Sequence, residues 1–399
     1  MTDFNNILLL ILEKNPSRLL INPLSKSIIA GFGNSKVVKL SDFSNFIDFK
    51  EEIKIQLYKD KIGFGSLFFD IENKNISELW KDFEVAEFTF SNIVFKYENE
   101  NISYYGEDEN LISYFDEIQS KNIKFSKNSE NLFLEKNNFE SWINLVDKAK
   151  NQINVSILEK IVVAQLYRSK IEKLDLKNTI INMVEKYNNC TTFMYQIKDS
   201  IFFGSTPEKI FEYSNKTLKT EAIAGSIPNK GESTEEIKRK FMNTTLVEEH
   251  KIVSNYIEKQ LMKITSNKVR KSSLDVMKLN NINHLQSKIE VDINDNDFFK
   301  FIELLHPSPA LAGFPVQEAK NWIRDNENFE RGLYTGSIGY VDENNSKFYA
   351  ALRCAMYKKN EGEIISFAGN GIVRDSKVNY EIEELNSKFK AINESIVKK

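Results

Sequence analysis

An α+β fold is what this chain predicts, and three features carry the prediction. Two blocks of short apolar and aromatic runs are joined by tight polar turns, the pattern of consecutive antiparallel strands. Long stretches with helical spacing lie between the blocks and at the end of the chain rather than alternating with single strands. Ahead of both, the first 125 or so positions are dominated by alternating runs. A parallel doubly wound sheet would need strand and helix to alternate throughout.

Taken in order, Ile7–Leu12 is an apolar run too short to span a membrane, with no basic leader before it. Gly31-Phe-Gly33 and Gly63-Phe-Gly65 punctuate the early strands. Phe88–Tyr97 is aromatic and β-branched and reads as strand. The polar stretch Ser126–Glu130 is the candidate seam. After Phe139, the residues Trp142, Leu145, Val146 and Ala149 recur at helical spacing. The first hairpin block runs Thr192–Ile197, Ile201–Phe203, Lys209–Tyr213 and Thr217–Ala222. A long helix is expected over Thr234–Met262. The second block runs Gly332–Val341, Lys347–Tyr357 and Ile364–Phe367, and a last helix covers Tyr380–Val397.

Composition narrows the function. The 399 residues are 41% hydrophobic, enough for a large core. With 54 Lys+Arg against 57 Asp+Glu the net charge is -3, so no basic bias points to nucleic acid or an anionic membrane. Cys190 and Cys354 make neither a disulfide framework nor a metal finger. A soluble cytoplasmic protein is expected.

Several ionisable residues sit in apolar text, where a charge is costly unless paired, metal-bound or neutralised. Lys160 lies inside Leu158–Ala164, and Glu208 follows Phe202-Phe-Gly-Ser-Thr-Pro207. Glu249 shares a helical stripe with Leu246, Val253 and Tyr256, so it needs either a buried salt bridge or a cation. Glu381, Glu384 and Lys388 fall at i, i+3 and i+7 beside Leu385 and Phe389. They are either a solvated face or a pair of carboxylates able to share Mg²⁺. Arg353 interrupts the apolar run Ala350–Ala355; its planar fork suits a carboxylate, and an edge-strand arginine is the plainer alternative. Phe367–Val373, with Gly369 and Gly371, and Ala224-Gly225-Ser226 allow close backbone approach to an anion or make simple turns. His250, His284 and His306 have no metal-pair spacing and suit a core equally well. A lysine, an isolated carboxyl and a group of carboxylates together suggest acid–base chemistry beside a divalent metal.

The chain also resembles a known family. The matching text is Glu159–Val163, Phe203–Glu208, Thr220–Ser226, Glu248-Glu-His250, His284-Leu285, Leu305–Pro315, Arg331–Gly339, Arg353-Cys-Ala355, Ala368–Val373 and Glu381-x-x-Glu384. In order and spacing it is similar to the chorismate-utilising enzymes: the isochorismate, salicylate, anthranilate and aminodeoxychorismate synthases. The likeness covers roughly residues 140–395. It implies two pseudo-symmetric halves, each an antiparallel sheet with outer helices, the sheets packed together. Residues 1–135 would be a variable portion completing the first sheet, and 136–395 the catalytic region. It also implies Mg²⁺ on Glu249 and Glu384 with Glu381 beside them. Arg353, with backbone amides near Gly225 and Gly371, would hold substrate carboxylates, Lys388 lying close by. Ala224, Ser226, His284, Ala310, Leu311 and Gly369 would complete the substrate site.

Three positions separate members of the family. Water-using enzymes carry lysine where this chain has Lys160, and ammonia-using ones carry glutamine. Aminodeoxychorismate synthases often have a nucleophilic lysine at the place of Ala224. Salicylate and anthranilate synthases tend to have threonine at the place of Ala310. All three imply isochorismate formation from chorismate, with Lys160 as general base and Glu208 as general acid, for menaquinone or a catecholate siderophore. Burial favours the uncharged forms both roles need. The alternatives are a salicylate synthase or a non-catalytic member. No glutaminase subunit is expected, and a monomer is. Gln165, Ser308, Ile382 and Glu383 depart from the usual family text without touching the proton-transfer pair.

Overall fold

The computed structural model describes residues 4–73, 76–116, 130–131, 139–242, 246–280 and 282–398. Two large antiparallel sheets of ten strands each dominate it. The strand Lys160–Lys170 lies near one edge of the first sheet, between the two-residue strand Gly313–Phe314 and the long strand Glu363–Val373. Next come Cys354–Lys358, Ser200–Thr206 and Thr191–Ile197. The second sheet carries Ile282–Asp292, Thr217–Pro228, Lys209–Ser214, Ser346–Ala350 and Ser337–Asp342 as consecutive neighbours.

The residues before 135 are divided between the sheets, where the expectation was one sheet completed. Arg18–Asn22, Ser27–Phe32, Ile93–Glu98 and Asn101–Gly106 extend the first; Lys36–Leu40, Ile62–Leu67 and Ala86–Phe90 extend the second. Most of the proposed seam, residues 126–129, falls outside the described residues. The run Ile7–Leu12 forms the middle of a ten-residue helix and is buried on every side, as an all-apolar helix in a core must be.

The sheets face each other across one core. Phe193 and Phe202 of the first sheet and Phe88, Phe211 and Phe348 of the second belong to it. Polar pins cross this interface. The Tyr195 hydroxyl lies 2.9 Å from the Gly339 carbonyl and 3.1 Å from that of Gly65, and Arg18 pairs with Glu87 at 2.8 Å. Helices cover the outer faces. Glu140–Val155, Val316–Asn326 and Val378–Asn393 pack on the Lys160 side through Trp142, Ile323 and Phe389.

Each hairpin block is split between the sheets. The chain leaves the first sheet after Thr206 and enters the second at Lys209; it leaves the second after Ala350 and returns to the first at Cys354. Glu208 and Arg353 sit at these two crossings. The crossings touch: the Ala350 N–H donates to the Glu208 carbonyl at 3.1 Å, and the Ser205 N–H to the Arg353 carbonyl at 3.2 Å. The expected helix over Thr234–Met262 is two helices, Thr234–Met242 and Leu246–Leu261, and the last helix is Val378–Asn393. Phe367–Val373 makes no turn: it continues an eleven-residue strand.

Candidate active site

The crossings open into a cavity of about 960 Å³. It is lined by every residue singled out above as catalytic, substrate-binding or metal-binding: Lys160, Glu208, Ala224, Gly225, Ser226, Glu249, His284, Ala310, Leu311, Arg353, Gly369, Gly371, Glu381, Glu384 and Lys388. They reach it from both sheets, both crossings, the helix Leu246–Leu261 and the last helix.

Lys160 is the first residue of its strand and is 1% exposed. Its Nζ donates to Glu249 Oε1 at 2.7 Å. The reading of Glu249 as one half of a buried salt bridge therefore describes this structure. Gly371, on the neighbouring strand opposite Val162, lies against the pair: a Cβ there would lie 2.5 Å from Lys160 Cε and 3.0 Å from Glu249 Oε1. The glycine makes room for this side-chain pair.

Glu208 is also buried. Burial, reinforced by the nearby charge of Glu221, pushes its carboxyl up to about 8, against smaller opposing effects of Lys160 and Lys388. A carboxyl in that range still holds its proton at neutral pH. Glu221, quoted within a family motif, was given no role from the sequence, because its influence comes from cross-strand geometry. Its Oε1 accepts from the Lys209 N–H at 3.2 Å and its Oε2 from Gln286 Nε2 at 2.6 Å.

Arg353 takes a left-handed backbone conformation, φ 46°, which an arginine rarely adopts. The crossing it occupies imposes it. Among the described residues it has no carboxylate within salt-bridge distance; Nη2 lies 3.1 Å from His284 Nε2. A guanidinium has donors only, so Nε2 is the acceptor and the proton of His284 is on Nδ1. That proton points to Ser226 Oγ, 2.9 Å away. Burial first, then the charges of Arg353 and Lys388, keep this imidazole neutral. The Ser226 hydroxyl, accepting from His284, has its own proton to give.

Lys388 is fully engaged. Its Nζ meets Glu384 Oε1 at 2.6 Å, the Gly369 carbonyl at 2.6 Å and Asn370 Oδ1 at 3.0 Å. In this arrangement it acts as a fixed charge with no spare donor. Tyr334, quoted within a family motif but given no role, also lines the cavity, its hydroxyl 2.8 Å from where a Cβ on Gly369 would sit.

Glu249, Glu381 and Glu384 present hard oxygen donors to the same cavity, the chemistry a Mg²⁺ ion takes. Burial and the neighbouring Glu384 push Glu381 up to about 7, as expected of carboxylates lacking enough positive charge. Among the described residues no three acidic, histidine or cysteine side chains are gathered closely enough to hold a metal together. Glu249 and Glu384 are turned to lysines instead. The donor set fits the ion; the rotamers are those of lysine-paired carboxylates.

His250 and His306 play no part here. His250 is buried and His306 half-buried; burial drives their pKa down, to about 4 and about 3, and neither lines the cavity.

Fold and site together define an α+β protein with a cavity between two antiparallel sheets, lined by a buried lysine, an arginine and several carboxyl groups. The chain matches the chorismate-binding enzyme family over residues 15–397 and belongs to it. Among its relatives is isochorismate synthase 2, chloroplastic, of Arabidopsis thaliana, 34% identical over 200 residues, which are 49% of this chain and 35% of that protein. The isochorismate synthase MenF of Bacillus subtilis is 27% identical over 258 residues, 63% of this chain and 54% of the relative. The chain thus matches less than two thirds of the length of each. In fold it is similar to the menaquinone-specific isochorismate synthase MenF of Escherichia coli, at TM-score 0.78 and 20% identity over 98% of this chain and 90% of that one. Anthranilate synthase component I of Streptococcus pneumoniae is nearly as close, at TM-score 0.74 and 16% identity over 92% of each chain. The α+β architecture of paired antiparallel sheets is therefore that of this family. No helix among the described residues is long and apolar enough to cross a membrane.

Proposed function

We propose that the chain interconverts chorismate and isochorismate. The observation that carries this is the joint presence, in one cavity, of buried Lys160 and a carboxyl at Glu208 that is protonated at neutral pH. Lysine at position 160 matches the water-using members of the family, and alanine at 224 removes the alternative nucleophile.

In this reading Lys160 takes a proton from water as the oxygen attacks ring carbon 2. The double bonds shift, the hydroxyl at carbon 4 leaves, and Glu208 gives that leaving group its proton. Atoms and charge balance, and the reverse reaction exchanges the two roles. Arg353, with the Ser226 hydroxyl on the other nitrogen of the His284 ring, binds substrate carboxylate through donors that the described residues leave unspent. Glu249, Glu381 and Glu384 would hold Mg²⁺, which supplies positive charge to a substrate carboxylate when bound. As a base Lys160 acts through the lone pair of the free amine, and one N–H can stay on Glu249. Menaquinone supply is the pathway we favour over a siderophore.

The test is product analysis with chorismate and Mg²⁺ in the absence of ammonia, by chromatography with mass detection. Isochorismate in equilibrium with chorismate, lost on chelation, is the expected result. Salicylate with pyruvate would reassign the chain to the lyase members, and no turnover would make it a non-catalytic one.

A further inference from the structure

The strand that begins with Lys160 is short of a neighbour. On its inner side it pairs with Glu363–Val373 along its whole length. On its outer side the strand Gly313–Phe314 pairs only with Ile161 and Lys160. Just beyond it, the Val162 N–H donates to the Ala312 carbonyl at 2.9 Å. Backbone groups at every second residue face this edge and need partners.

Two side chains take over there. Arg331 Nη2 donates to the Val162 carbonyl at 2.8 Å, and Glu327 Oε1 accepts from the Ala164 N–H at 2.9 Å. Arg331 Nη1 reaches across to the Leu311 carbonyl at 2.9 Å. The two side chains are locked together by Nε on Oε2 at 2.8 Å and Nη2 on Oε1 at 2.5 Å, and each is 1% exposed. The Arg331 guanidinium also lies 4.7 Å from the ring centroid of Phe69.

We propose that the Arg331–Glu327 pair is a positioning device that replaces a missing strand and sets the distance between two walls of the active cavity. One wall carries Lys160 and Val162; the other carries Ala310 and Leu311. A single guanidinium bonds a carbonyl on each. Stability alone does not account for such a pair, since well-packed apolar residues serve a core as well. Apolar residues, however, cannot bond Val162, Ala164 and Leu311. Lysine cannot replace the arginine, because its three donors lack the rigid fork that reaches two carbonyls and a carboxylate at once.

This inference rests on Lys160 acting on substrate, and the experiment separates the two. Turnover per folded molecule and KM for chorismate are measured for Arg331→Lys, Arg331→Ala and Glu327→Gln, with Lys160→Ala alongside. Misplacing a reacting group by about 1 Å costs on the order of 100-fold. Arg331→Lys is therefore expected to lower kcat about 10- to 100-fold while KM, set mainly by Arg353 at the crossing between the sheets, stays nearly constant. Arg331→Ala opens onto a neighbouring cavity of about 290 Å³ lined by Phe69, Asp70 and Glu327, so added ethylguanidinium is expected to restore part of kcat. A purely structural pair would change the folded fraction and leave kcat per folded molecule unchanged, and that result overturns the proposal. Should the Arg331 variants fail to fold, Glu327→Gln, which keeps volume and an acceptor, decides by the same split. Full turnover in Lys160→Ala overturns the acid–base reading and this one with it.

Discussion

Lys160 Nζ and Glu249 Oε1 meet at 2.7 Å, the lysine side chain 2% exposed and the glutamate 14%. The asymmetry matters. Removing the glutamate strands an ammonium with almost no access to water, while removing the lysine leaves a carboxylate on the cavity wall. Breaking a buried pair costs about 3–5 kcal/mol when the remaining charge has no escape. Glu249→Ala is therefore expected to destabilise the fold by an amount approaching that range, and Lys160→Ala by clearly less. Urea unfolding of both variants measures this; the opposite order would mean the pair is open to solvent in solution.

Glu208 gives a pH signature. Its carboxyl is raised from 4.5 to about 8 by burial and then by Glu221. Above 4.5 the unfolded chain has released this proton while the folded protein keeps it, so the folded state binds more protons and stability falls as pH rises. The contribution is fully present below 4.5 and lost as pH rises through about 8. Wild-type stability should decline across that window, and Glu208→Gln should flatten the decline. Turnover should fall on the alkaline side as the general acid ionises, with Glu208→Gln losing most of it. A Glu208→Gln variant with near-wild-type kcat would remove Glu208 from the mechanism.

Much of this was legible in the sequence, and what was not has a physical reason. Buried charges announce themselves in apolar text, which is why Lys160, Glu208 and Glu249 stood out. Strand period and turn chemistry found the hairpins at Thr191–Thr206 and Lys209–Pro228. They did not show that each hairpin block passes from one sheet to the other, because local pattern does not record which sheet a strand joins. Arg353 was visible as an interruption; its left-handed backbone, and the crossing it makes, was not. Gly371 read as a close approach to an anion or a simple turn, because glycine permits many conformations; its neighbours Lys160 and Glu249, which leave no room for a Cβ, lie far away in sequence. Glu327 and Arg331 carry their meaning through the edge of a strand more than 160 positions earlier, a relation no local window contains.

The chain Ser226–His284–Arg353 fixes a tautomer. Because Arg353 offers only donors, His284 must accept at Nε2 and carry its proton on Nδ1. Nitrogen NMR of the imidazoles should show a neutral ring protonated at Nδ1, unchanged between about pH 6 and 8. His284→Gln identifies the signal among three histidines. A ring protonated at Nε2, or one titrating in that range, would mean that Arg353 is not held by His284. Losing one hydrogen bond to a charged partner is worth about 1.5–3 kcal/mol. Ser226→Ala should accordingly raise KM about 10- to 100-fold if its free proton meets the substrate carboxylate, with kcat changed far less.

The two lysine–carboxylate pairs also bear on metal affinity. Glu249 is held by Lys160 and Glu384 by Lys388, so a cation bound by these carboxylates must displace two ammonium contacts. Among the described residues Glu381 has no such lysine partner, and it accepts from Asn370 Nδ2 at 3.0 Å. Calorimetric titration with Mg²⁺ alone should therefore show opposite effects of two neighbouring substitutions. Glu384→Gln removes a proposed ligand and is expected to weaken binding tenfold or more, at about 1.4 kcal/mol per tenfold. Lys388→Met removes the competitor for the same carboxylate and is expected to tighten binding. Lys388 also bonds the Gly369 carbonyl and Asn370, so circular dichroism and thermal unfolding of that variant must first show an intact fold. Weaker Mg²⁺ binding in a folded Lys388→Met protein would mean that the lysine supports the metal site rather than competing with it. In that case Glu384 would stay turned to Lys388 with the cation held elsewhere, and its assignment as a ligand would fall.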